Sequence, residues 1–199
     1  PELWLNNFLD GEVEIEEVLV DLGERFDLKG KFLVGFADPS PEAEREIMTK
    51  GQKWQIGALR RILSANEILL NKLNMDYVIF DTTPGYGYSS VNAVTSSNEV
   101  ILVMSTNEID ITGTAQMIRG IYGLLEKKVR LLVNKVPMTL IPSVEEKNKL
   151  ASWYRDRYQM DLLGLVPCYC DVLAFGGRPF FTLEYPEHPY SKALKEVAG

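Results

Sequence analysis

The chain is poor in the residues that build covalent or metal-clamped frameworks: its 199 residues hold two cysteines, Cys168 and Cys170, and one histidine, His188. That set falls short of a four-ligand zinc centre. The Cys-Tyr-Cys run after Pro167 reads first as small buried hydrophobes, with a two-cysteine metal site shared across a dimer as the alternative. No apolar run reaches the length of a membrane span, and no charged, apolar, small-residue leader opens the sequence, so the default expectation is a cytoplasmic protein. Basic residues are in deficit too. A formal charge of −7 and a pI near 4.9 oppose nonspecific nucleic-acid binding, which draws on Lys and Arg at phosphates. There is no internal repeat and no low-complexity linker.

What is present is a chain 46% apolar and 25% charged, the balance of one ordinary domain with a substantial core. Apolar runs at 31–37, 76–80, 100–104, 130–133 and 162–166 are too continuous for strands with one wet face. Strands covered on both faces read this way, as in a parallel sheet between helices. In 53–74, Leu59, Ile62, Leu63, Leu69, Leu70 and Leu73 recur at helical spacing with Arg60, Arg61 and Lys72 between them; a second stripe runs through 111–128. The expectation is a doubly wound α/β fold, mostly parallel, forming a single nucleotide-binding domain over 1–199. Glu12–Asp21 reads as a short surface helix, and Asp38 or Ser40 as the turn or cap before a helix opening at Pro41. Ser89 or Ser90 reads as the cap of a helix through 92–97, and Leu194 and Val197 as docking the last helix on the core.

Residues 76–85, Asp-Tyr-Val-Ile-Phe-Asp-Thr-Thr-Pro-Gly, run an apolar segment into Asp81 and then into a Pro84-Gly85 turn. An acid placed there suits a magnesium shell beside a phosphate pocket, although Asp, Thr, Pro and Gly are also ordinary loop formers. Three further pieces follow in order: Gly113-Thr-Ala-Gln-Met-Ile118, a strand ending at Asn134, and a strand ending at Val166-Pro167. Together with Asp81-Thr-Thr-Pro-Gly85 they resemble the MinD/ParA family of P-loop ATPases with a deviant Walker A motif, from about residue 76 to 194.

That resemblance implies ATP and Mg²⁺ as cofactors and ATP hydrolysis coupled to homodimerisation through the nucleotide face, a nucleotide-dependent switch that also meets an unidentified protein partner. Asp81 would hold the metal shell, Gly85 would sense the terminal phosphate, Asn134 would read the adenine edge, and Pro167 and Cys168 would lie across the base. The sequence departs from the family at one place. Between Pro1 and Gly199 there is no Gly-rich loop carrying two lysines, the element whose backbone N–H groups surround the phosphates. The expectation is therefore a chain without the family's N-terminal strand, P-loop, helix and strand, inactive in hydrolysis alone. The alternative is a non-catalytic relative acting as an interaction or regulatory subunit, with Tyr86 and Tyr88 toward a partner. A membrane-targeting C-terminal helix is not expected, because Ser191–Gly199 is short and only mildly basic.

Overall fold

The computed structural model describes residues 2–82, 87–107, 127–176 and 180–199. They fall into two compact units, Pro1–Ser97 and Asn98–Gly199.

The N-terminal unit opens with helix α1, Leu5–Asp10, whose start is tied by Asn7: its Oδ1 accepts the Trp4 N–H at 2.9 Å. Gly11 ends it in the left-handed region at φ 79°, where a side chain would be strained, and a Cβ there would lie 2.0 Å from the Arg61 guanidinium, which would have to move. Phe8, Ile15, Val18 and Ala65 form the buried cluster beneath it, with Leu5, Leu9, Leu19 and Ile68 packed around. Where a surface helix was expected at 12–21, the chain makes one 3-10 turn, Ile15–Val18, and then strand β1, Leu19–Asp21. The difference follows from Ile15 and Val18, whose spacing of three lets one tight turn bury both.

Strand β2, Leu33–Gly35, pairs antiparallel with β1, Val20 opposite Val34. The run 31–37 is thus half of a two-stranded ribbon and not a member of a parallel sheet. Helix α2, Pro41–Thr49, begins as its sequence predicts: Ser40 Oγ accepts the Ala43 N–H at 3.2 Å, Pro41 occupies the first turn, and Asp38 Oδ1 fixes the Ser40 N–H at 2.8 Å. Helix α3, Gln52–Glu67, continues into a π turn, Ile68–Lys72, filling the window in which helical spacing was read. Helix α4, Tyr88–Ser96, is joined to α3 by Asn92 Nδ2 donating to the Gln55 carbonyl at 3.1 Å. It starts on Gly87 without a side-chain cap, so neither Ser89 nor Ser90 caps it.

Segment 76–80, expected as a strand, has no ladder partner among the described residues. Tyr77 is 82% and Ile79 88% exposed, which decides against a buried strand here. An apolar run becomes a strand only when neighbouring backbone takes its N–H and C=O groups.

In the C-terminal unit the predicted strands do form a sheet. Among the described residues β3, Glu99–Met104, pairs parallel with β4, Lys128–Val136, and β4 pairs parallel with β5, Asp161–Pro167. Leu102, Met104, Leu131, Val133 and Leu165 are buried, and the register sets Leu102 opposite Leu131 and Met104 opposite Val133. The Glu99 carboxylate clamps the Arg130 guanidinium in a bidentate pair at the start of the ladder. That hydrogen-bonded pairing with Arg130 holds the Glu99 carboxyl below the usual carboxylate range against the opposing effect of burial.

Helix α5, Val144–Tyr158, is capped by Ser143 Oγ on the Glu146 N–H at 3.2 Å and packs on β5, burying Tyr154 and Tyr158, whose rings stack with centroids 6.2 Å apart. After β5 come α6, Cys170–Ala174, α7, Phe181–Glu184, and α8, Pro189–Ala198. A Cβ on Gly164 would lie 2.9 Å from Val197 Cγ2, which shows α8 docked on β5 as Val197 led one to expect. The Gly113–Ile118 motif, and the stripe expected in 111–128 except at residues 127 and 128, lie outside the described residues. No helix among the described residues is long and apolar enough to cross a membrane.

Leu131 is fully buried at the centre of the ladder. Leu131→Ala is expected to destabilise the protein by about 2–5 kcal/mol, the cost of a buried large-to-small change. Urea denaturation followed by circular dichroism checks this; an unchanged midpoint would contradict the burial.

Candidate functional site

The carboxyl ends of β4 and β5 lie side by side, and there the parallel ladder is interrupted. The register shifts once between Leu131 and Leu132 and again between Val133–Leu165 and Val136–Pro167, where Asn134 and Lys135 form a bulge. Lys135 takes the left-handed conformation at φ 55°, and Asn134 Oδ1 accepts the Lys135 N–H at 2.8 Å, closing the turn. Across from it the Cys168 N–H donates to the Val136 carbonyl at 2.8 Å. Three predicted cofactor residues, Asn134, Pro167 and Cys168, are therefore brought to one end of one sheet. The ligand-binding rim of an open α/β sheet is this end, outside the strand carboxyl termini.

Asp81 belongs to the N-terminal unit, at the end of the unpaired segment, with its side chain exposed. Gly85 and Tyr86 lie outside the described residues, as does the rest of 83–86. Gly87 follows with an ordinary extended backbone, φ −62° and ψ 149°. Tyr88 is exposed at the start of α4.

Cys168 is half-buried but Cys170 is exposed at the start of α6, so only the first fits the expectation of a small buried hydrophobe. Among the described residues no group of three or more His, Cys, Asp and Glu side chains converges on a metal position.

Two features escaped the sequence reading. One is a cluster behind Cys168. His188 Nδ1 accepts the Tyr190 N–H at 3.1 Å and so caps α8, which leaves Nε2 to donate to Asp171 Oδ2 at 2.8 Å. Tyr169 and Phe181 meet the imidazole edge-on, with centroids 5.1 and 5.0 Å away. Burial pushes the Asp171 carboxyl up, but the Val172 N–H and the His188 ring more than offset it and hold it below the usual range. The signal that would have found this cap is Pro189: proline at the first helical position marks the residue before it. The other is a polar pocket of about 190 Å³ in the N-terminal unit, where Trp54 Nε1 and Lys50 Nζ both donate to Asp10 Oδ1, at 2.5 and 3.0 Å.

Comparison with known proteins places this geometry. Residues 40–134 match the family described as AAA domain. No curated protein matches the chain by sequence. Among solved structures, the MinD cell division protein of Aquifex aeolicus superposes with a TM-score of 0.72 at 18% identity, covering 98% of this chain and 72% of that one. The cell division ATPase MinD of Pyrococcus furiosus gives 0.67 at 17% identity, covering 100% and 74%. MinD of Pyrococcus horikoshii, solved with Mg-ADP, gives 0.66 at 18%, covering 98% and 72%.

Replacing His188 by Ala should remove the cap and cost about 1 kcal/mol, with Asn at the same position recovering most of it, measured by thermal melting. Asp171 has a lowered folded pKa, so its stabilisation is full above the ordinary carboxylate range and is lost as pH falls through the lowered value. Asp171→Asn should therefore flatten the acid limb of melting temperature against pH; an acid limb identical to that of the unsubstituted chain would exclude the pair as its source.

The fold is that of the MinD proteins, and residues 40–134 match the AAA domain family.

Proposed function

We propose that this chain is the body of a MinD-like ATPase that binds Mg-ATP and switches a homodimer on and off, its two units acting together as one nucleotide-binding domain. The reading is carried by the bulge at Asn134–Lys135, set beside Pro167 and Cys168 at the carboxyl end of a parallel ladder in a MinD-like fold. Asn134 is assigned the adenine edge. Its carbonyl oxygen already accepts one backbone N–H but has a second lone pair, and its amide nitrogen supplies the donor, so the donor and acceptor that adenine requires are both present. Pro167 and Cys168 are assigned to the flank of the base.

Asp81 is assigned the metal shell and Gly85 the sensing of the terminal phosphate. A lone exposed carboxylate fits magnesium, which keeps several waters and binds through one or two carboxylates plus the substrate's phosphates. The metal, when bound, supplies charge neutralisation at those phosphates.

Hydrolysis needs in addition the glycine and lysine loop that residues 1–199 do not contain, so the chain alone is assigned no turnover. The exposed Tyr88 favours a second reading, a non-catalytic subunit that binds a protein partner.

Titration of a fluorescent ATP analogue, with and without Mg²⁺, separates the two. The chain extended by its upstream coding sequence is expected to bind in a Mg²⁺-dependent way and to hydrolyse ATP, and Asp81→Ala in that version to lose the Mg²⁺ dependence. No binding by the extended chain would leave the interaction-subunit reading standing; Mg²⁺ dependence unchanged by Asp81→Ala would remove Asp81 from the metal shell.

A further inference from the structure

The segment that follows β5 leads away from the flank assigned to the base, and it does not hold its own shape. Helix α6, Cys170–Ala174, has five residues and buries none of them. A helix of that length is stable only when something outside it fixes it. Two polar anchors bracket its approach. At the start, the Cys168 N–H donates to the Val136 carbonyl at 2.8 Å and fastens the segment to β4. Three residues on, Asp171 Oδ2 meets His188 Nε2 at 2.8 Å, and the Tyr169 ring between the anchors packs edge-on against the same imidazole. His188 Nδ1 is taken by the Tyr190 N–H at 3.1 Å, which places the ring proton on Nε2 and aims it at Asp171. The carboxylate is engaged on both oxygens as well, Oδ1 accepting the Val172 N–H at 3.0 Å. Capping α8 needs one acceptor, which Asn or Ser would supply. The second nitrogen and the ring face are committed to something the cap does not require.

We propose that His188 is a positioning residue for the nucleotide: through Asp171 and Tyr169 it holds residues 168–171 in the shape that receives the base. The proposal rests on the assignment of Pro167 and Cys168 to the base flank. A flank ordered before binding spares the ligand the cost of ordering it, so the link raises affinity without itself touching nucleotide. By reciprocity, bound nucleotide strengthens the link.

His188→Asn separates the two duties, since the shorter amide still accepts the Tyr190 N–H but falls short of Asp171. In the chain extended by its upstream coding sequence, H188N and D171A should each weaken binding of a fluorescent ATP analogue with Mg²⁺ by about three- to tenfold, the worth of one hydrogen bond. The double variant should stay within about twofold of the singles, because both substitutions remove the same contact. H188A should melt below H188N yet bind equally weakly, whereas a merely structural histidine would make affinity follow melting temperature. Residues 1–199 alone give a readout without nucleotide, because both of their cysteines lie in this segment. Cys170 is exposed and Cys168 half-buried, so Ellman's reagent should label one thiol fast and the other slowly. H188N should speed the slow thiol by about three- to tenfold as the segment opens more often. Unaltered labelling in H188N overturns the proposal. Nucleotide binding that H188N leaves intact overturns the role given to His188 alone, while no binding by the unsubstituted extended chain overturns the nucleotide reading and this role with it.

Discussion

Strand β4 is the member on which the C-terminal unit is organised, because it alone has a neighbour on each edge among the described residues. Its buried Leu131 and Val133 fix which face turns inward, since a slip of one residue would put both into water. The Glu99–Arg130 clamp then fixes where the ladder begins. Once direction, face and starting point are set, the end of the strand is set as well, and Asn134 is delivered beside Pro167 and Cys168 without any contact of its own being needed. The chemistry at the sheet rim is thereby inherited from packing several residues away.

How much of this could be read in advance differs between the units for a physical reason. The runs at 100–104, 130–133 and 162–166 were legible because each is apolar and each finds parallel neighbours or a covering helix. Helix α3 was legible because Leu59, Ile62 and Leu63, with Leu69, Leu70 and Leu73 beyond them, recur at helical spacing, a property of the segment itself. Segment 76–80 has the same apolar character as β3, yet it is not a strand. Strand formation depends on backbone elsewhere, and composition carries no record of whether that backbone is at hand. Leu33–Gly35 shows the same limit in milder form: its strand character was visible, but its antiparallel partner β1 was hidden in a stretch that reads as helix.

The site divides likewise. Asn134 and Pro167 stood out because a strand ending in an amide or a proline is a local pattern. The His188–Asp171 pair could not be seen, since the two residues meet only when α8 folds back on β5. That return depends on Gly164, where the lack of a side chain admits Val197. The aromatic rings around His188 are likewise contributed by separate elements, α7 and the residue preceding α6.

Lys135 carries a different implication. A residue with a side chain sits in the left-handed region at about 1–2 kcal/mol more strain than glycine would. A glycine there would close the same turn more comfortably, and the chain instead retains a four-carbon arm tipped with an ammonium. In a polypeptide of net charge −7, this leaves an exposed ammonium on the sheet's rim, next to Asn134. An anion approaching an otherwise repellent molecule would find there a spot of welcoming potential, maintained at the expense of local comfort.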